Sequence, residues 1–177
     1  YFYTKQMPLQ ALEALNGGQA PSAEEVQRHF MFATGQIHKQ WRRVADKLLT
    51  PRGLTQALWL PLLHLHRSAE PMRQKDLAFS LALDNSSVVR LVDGLMAQGW
   101  VETVADADRR VKRIQLTASG RAEAEMASEV LAEARQQVLR SVPAEELLSA
   151  FATMQKLIQA MNALEEEPSA GKLQSDA

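Results

Sequence analysis

The sequence predicts a mainly α-helical, α+β fold in which a small helical domain carries a two-stranded ribbon. Three observations predict it. Apolar residues recur at helical spacing over most of the chain. The period changes to that of strands after Gly99 and returns to helical at Thr117. Breaker clusters at Asn16 to Pro21, Pro51 to Gly53, Ser68 to Pro71 and Ser141 to Pro143 separate the helical stretches. The expected order is four helices, two strands and two helices.

Residues 1–21 are expected to be an N-terminal arm or short helix. Leu9, Leu12 and Leu15 would give that helix an apolar side, and Asn16-Gly17-Gly18-Gln19-Ala20-Pro21 reads as a linker. Ser22-Ala23-Glu24-Glu25 is a capping box. Val26, Phe30, Ile37, Trp41, Val44 and Leu48 then predict one buried stripe, ended by Pro51 and Gly53. Thr55 is expected to cap a second helix, Gln56 to Arg67, which Pro61 deprives of one backbone bond. Arg73 to Leu81 predicts a short helix with Leu77, Ala78 and Leu81 inward.

Next comes the stretch around which the chain is organised, Leu83 to Leu116. Asp84 suits an N-cap, since its carboxylate accepts a first-turn N–H. Val88, Leu91, Val92, Leu95 and Met96 predict a buried stripe. Ser86, Arg90 and Asp93, with Val89 at the edge, form the opposite face. Gly99 is placed for a left-handed C-cap. Trp100 to Val104 and Val111 to Leu116 read as strands joined by a charged turn. Of the eight residues from Asp106 to Arg113, four are basic. A slim polar helix beside a cationic ribbon suits B-DNA, the helix for the major groove and an arginine at the ribbon tip for the minor groove.

This stretch resembles the winged helix-turn-helix of the MarR/SlyA family of bacterial transcription regulators. The residues carrying the resemblance are Leu77-Ala78, Ser86 to Val92 with Leu95, Gly99-Trp100-Val101, Asp108-Arg109-Arg110, and Leu116-Thr117-Ala118-Ser119-Gly120. Between Gly99 and Asp108 the chain is one residue shorter than the common family pattern. The resemblance runs from about Val26 to Leu164. It implies a winged domain over residues 54–116 and a helical dimerisation region over 22–50 and 117–166, with a disordered tail at 167–177. It also implies a homodimer on double-stranded DNA and a small aromatic acid or phenol as effector.

After Thr117 a helix is expected to Arg140, and Pro143 opens a last one. In that helix Leu147, Phe151, Met154, Ile158 and Met161 alternate in steps of four and three, a heptad-like seam. Such a seam predicts packing on a second chain or on the first helix.

Composition narrows the functional classes. The net charge of −1 excludes a generally basic nucleic-acid binder, so the cations at Arg109 to Arg113 must act locally. Without cysteine the chain has no disulfide, thiolate metal site or thiol sensor. No apolar run approaches a membrane span, and no secretory signal pattern is present. The chain opens on Tyr1 rather than Met, which suggests truncation. A cytoplasmic location is expected. No catalytic motif is present, and His64 and His66, two apart on a helix, point to different faces and cannot chelate one metal. Neither catalytic nor metal-binding residues, nor a cofactor, are expected.

The DNA-contact candidates are Arg73, Gln74, Asn85, Ser86, Ser87, Val89, Arg90, Asp108, Arg109, Arg110 and Lys112. Arg90 can reach guanine O6 and N7, short serines let the helix approach, and Val89 can touch a thymine methyl. The family motif implies that Asp108 orients Arg109 at the wing tip. The same resemblance implies an effector pocket among Phe30, Ile37, His38, Trp41, Arg42, Trp59, Leu63 and His66, where cations would anchor a carboxylate. Most of the aromatic residues in this set also suit a plain core. The rival reading is a winged protein-interaction module that does not read DNA.

Overall fold

The structure, a computed structural model, describes residues 22–105 and 112–166. By internal contacts the chain divides into two compact units, Tyr1–Leu131 and Ala132–Ala177.

Helix α1 (Ala23–Leu49) opens on the expected capping box. The Ser22 hydroxyl accepts the Glu25 N–H at 3.3 Å, and the Glu25 carboxylate accepts the Ser22 N–H at 2.9 Å. Burial departs from the predicted stripe. Ala45 and Leu49 are fully buried, whereas Val26 and Ile37 are 42% and 62% exposed. Periodicity fixes which residues share a face, not whether a neighbour covers it, and the cover here falls on the last turns of α1. A single 3₁₀ turn (Thr50–Arg52) and Gly53, at φ +84°, then reverse the chain.

Helix α2 (Gln56–Arg67) buries Trp59, Pro61, Leu62, Leu63 and Leu65. The Trp59 indole N–H donates to Asp46 at 2.9 Å and ties α2 to α1. Thr55 precedes the helix, but its hydroxyl makes no capping bond, contrary to expectation.

Met72–Arg73 is a short strand, β1, and helix α3 (Gln74–Leu81) starts one residue later than predicted. Two residues are too few to carry a period; the pairing of Met72 with Ile114 and Arg73 with Arg113 makes the strand. Leu77, Ala78 and Leu81 are buried, as the spacing predicts.

Helix α4 (Asn85–Ala97) buries Val88, Val92 and Leu95. Leu91 is half-buried, and Met96, predicted inward, is 44% exposed at the stripe's edge near the helix end. Gly99, at φ +71°, donates to Met96 O at 2.9 Å, and Trp100 N–H donates to Leu95 O at 3.0 Å. This is the Schellman pair of bonds that satisfies the last helical carbonyls.

Strands β2 (Val101–Ala105) and β3 (Lys112–Leu116) complete an antiparallel sheet in the order β1-β3-β2. Val101, Ile114 and Leu116 face the core beside the fully buried Leu49, Leu54, Leu62, Leu77, Val88 and Leu95. Each such leucine contributes about 2 kcal/mol of burial.

Helix α5 (Ala118–Leu139) sends Ala124, Ala127 and Leu131 into the same core. In the second unit, helix α6 (Ala144–Glu166) presents the predicted seam to solvent, with Phe151 60% and Ile158 48% exposed. Among the described residues no helix is long and apolar enough to cross a membrane.

Candidate nucleic-acid interface

Helices α3 and α4 pack on each other through a three-residue turn, Ala82 to Asp84. Ala82 closes that turn at φ +52°, with its own N–H on Phe79 O and the Leu83 N–H on Ala78 O. Two helices joined this way form a helix-turn-helix, in which the second is free to enter a groove.

Asp84 organises the first turn of α4. Its carboxylate accepts the Ser87 N–H at 2.9 Å, the Ser87 hydroxyl at 2.7 Å and the Ser86 hydroxyl. Those donors hold its pKa well below the usual carboxylate range; the Ser86 bond weighs most, then the Ser87 side chain, then the Ser87 backbone. Ser86 and Ser87 are expected to let the helix approach DNA and to offer their hydroxyls to phosphate or bases. The structure spends both on the cap, so each contacts a phosphate or base only by sharing its lone pairs or leaving Asp84.

The predicted outward face of α4 is outward. Asn85, Ser86, Val89, Arg90 and Asp93 are exposed, and Ser87 is half-buried at its edge. Among the described residues the Arg90 guanidinium has no ion-pair or hydrogen-bond partner. It stands on a helix face with short neighbours and is available to a base edge or phosphate.

Arg73 and Gln74, at the start of α3, are half-buried. On β3, Lys112 is exposed, while the half-buried Arg113 donates to Pro71 O at 3.0 Å and so braces the β1 end of the sheet. Asp108, Arg109 and Arg110 lie outside the described residues. Phe79, which the sequence reading left out, is 90% exposed on α3. Alternation of period gives no reason for a bare phenyl ring there.

The predicted effector residues sit in several environments. Trp59 and Leu63 are core residues, at 2% and 4% exposure. Phe30, Trp41, Arg42 and His66 are half-buried, and Ile37 and His38 are exposed. Arg42 Nε and His66 Nδ1 are buried and have no hydrogen-bond partner among the described residues. A separate cleft of about 200 Å³, lined by Leu65, Ser68, Glu70, Ile114, Gln115 and Arg121, contains none of these residues. No group of three or more metal-ligating side chains occurs among the described residues.

Comparison with known proteins agrees with this geometry. Residues 54–120 match the family model described as a winged helix DNA-binding domain. The transcriptional regulator PA3341 is 31% identical over 76% of this chain and 98% of its own, with a TM-score of 0.72. A MarR-family regulator from Rhodococcus sp. RHA1 is 26% identical, covering 75% of this chain and 94% of its own, at a TM-score of 0.65. CouR from Rhodococcus jostii RHA1, solved bound to p-coumaroyl-CoA, is 25% identical over 72% and 90%, at 0.63. With a helix-turn-helix, an antiparallel wing and a full-length relative above 30% identity, the chain belongs to the MarR family of DNA-binding winged helix-turn-helix transcription regulators.

Proposed function

We propose that the protein is a cytoplasmic homodimeric repressor that reads a pseudo-palindromic operator and is released by a small aromatic or phenolic carboxylate. The observation that carries the reading is the bare face of α4, where Val89, Arg90 and Asp93 stand outward around a guanidinium without a partner among the described residues. Each subunit lays α4 in a major groove, and Arg109, held by Asp108, enters the flanking minor groove. Arg73, Gln74, Arg110 and Lys112 contact the backbone. Two-fold symmetry places the half-sites about one turn, ~10 bp, apart.

The terminal helices support the dimer. The apolar seam of α6 and the apolar residues Val26, Met31 and Ile37 of α1 are exposed in the single chain, and bare apolar faces of that kind mark interfaces. The effector reading draws support from Arg42 Nε and His66 Nδ1, two buried nitrogens without a hydrogen-bond partner among the described residues: the guanidinium N–H can donate to a carboxylate, and either nitrogen can be satisfied by an ordered water. CouR, a relative with a p-coumaroyl thioester bound, sets a precedent for a phenolic ligand. An effector acts by binding better to a dimer whose recognition helices have the wrong spacing.

A gel-shift titration tests the reading. Wild-type protein is expected to bind a selected duplex with affinity that falls steeply with salt. Arg109→Ala is expected to weaken binding strongly while sedimentation still shows a dimer. Absence of duplex binding at low salt would favour the interaction-module reading instead.

A further inference from the structure

The base of the wing holds a joint that the helix-turn-helix itself does not require. The two residues that follow the C-cap of the recognition helix, Gly99 and Trp100, are gripped by Thr117, just before α5, and by Ser119 in its first turn. The Thr117 hydroxyl donates to Gly99 O at 2.7 Å, and the Ser119 hydroxyl donates to the same oxygen at 3.0 Å. The Thr117 N–H donates to Trp100 O at 3.0 Å. The Thr117 oxygen also accepts the Gly120 N–H at 3.1 Å, so one side chain caps α5 and clamps the end of α4. Gly120 closes the contact: a Cβ there would lie 1.8 Å from Trp100 O.

These bonds over-determine one geometry. Gly99 O carries two lone pairs, and two hydroxyls fill them. Thr117 is β-branched and stiff at χ1, and it both donates and accepts, so its rotamer is locked. The end of α4 is thereby held directly against the first turn of α5. In a two-fold dimer, the direction of α4 relative to the first turn of α5 is one of the terms that set how far apart the two recognition helices stand.

We propose that Thr117 and Ser119 are positioning residues for DNA recognition: their shared grip on Gly99 O makes the α4–α5 joint rigid and so sets the half-site spacing the dimer accepts. The proposal rests on the homodimer reading. Both act through α4, by way of Gly99 O.

The test uses the full-length protein and a duplex selected by it from a random pool. Affinity is measured for that duplex and for versions with one to four base pairs inserted between the half-sites. Wild type is expected to discriminate steeply against the first insertion. Ser119→Ala, which leaves the Thr117 cap intact, and Thr117→Val/Ser119→Ala are expected to lower that discrimination at least threefold, the double variant more. Thr117→Ser, which keeps the hydroxyl, is expected to behave as wild type. A purely structural role would lower the melting temperature and leave the spacing ratio unchanged, and that result would overturn the proposal, as would failure of Thr117→Ser to retain discrimination. If the double variant does not fold, Ser119→Ala decides alone. A wild type indifferent to spacing would refute the dimer reading and the proposal together, whereas a wild type with steep spacing dependence and unaltered variants would refute only the proposal.

Discussion

Gly120 sits against the backbone of Trp100 so closely that a Cβ on it would meet the Trp100 carbonyl oxygen at 1.8 Å and the carbonyl carbon at 2.7 Å. The obstacle is backbone, held in place by the Thr117 N–H, and has nowhere to go. Gly120→Ala is expected to destabilise the fold by about 3 kcal/mol, at the upper end of overpacking costs. Urea unfolding followed by circular dichroism measures it. A change below about 1 kcal/mol would mean that the α4–α5 joint yields and is not rigid.

Ala82 is the one described non-glycine residue with positive φ, at +52°. A left-handed alanine carries about 1–2 kcal/mol of strain, part of which a glycine returns as greater freedom of the unfolded chain. Ala82→Gly is therefore expected to stabilise the domain by about 0.5–1 kcal/mol, read as a higher urea midpoint at unchanged slope.

Asp84 gives the fold an acid-sensitive element. Its folded pKa is depressed by the Ser86 and Ser87 bonds, so its contribution is complete above the ordinary carboxylate pKa and is lost as pH falls below it. Asparagine also caps helices well. Asp84→Asn is expected to leave α4 formed at neutral pH and to flatten the loss of stability between pH ~4 and lower values. Thermal melts across that range check it; an unchanged acid profile contradicts the assignment.

His64, on α2, shares a hydrogen bond of 3.1 Å with Ser80 of α3. Burial, and next the nearby Arg67 cation, lower its pKa. A lowered histidine pKa means that the unfolded chain binds the proton first, so stability falls as pH drops below ~6.5. His64→Gln is expected to remove that component, measured as a smaller difference in melting temperature between pH 7.5 and pH 5.5.

Much of the candidate interface was legible because it rests on local rules. The Asp84 cap, the buried trio Val88, Val92 and Leu95, and the left-handed Gly99 each follow from a few neighbouring residues. What was not legible depends on distant partners. Met72–Arg73 is a strand because β3 runs beside it, not because of its own two residues. The exposure of Val26 and Ile37 depends on what covers α1, which helical spacing does not encode. The bonds of the two serine hydroxyls to Asp84 become visible only once the first turn of α4 is folded. The Leu116-Thr117-Ala118-Ser119-Gly120 signature was readable as a motif, but its work, gripping Gly99 and Trp100, is a contact across some twenty residues of chain.

The claim on which the account turns is that the outward face of α4 reads base edges. The direct measurement is the ratio of affinities of Arg90→Ala and wild type for a selected operator and for an unrelated duplex, at one fixed salt concentration. A bidentate arginine contact carries about 1–3 kcal/mol of base discrimination, so Arg90→Ala is expected to lose about 5- to 150-fold on the operator and far less on the unrelated duplex. Equal losses on both duplexes, or none on either, would contradict it.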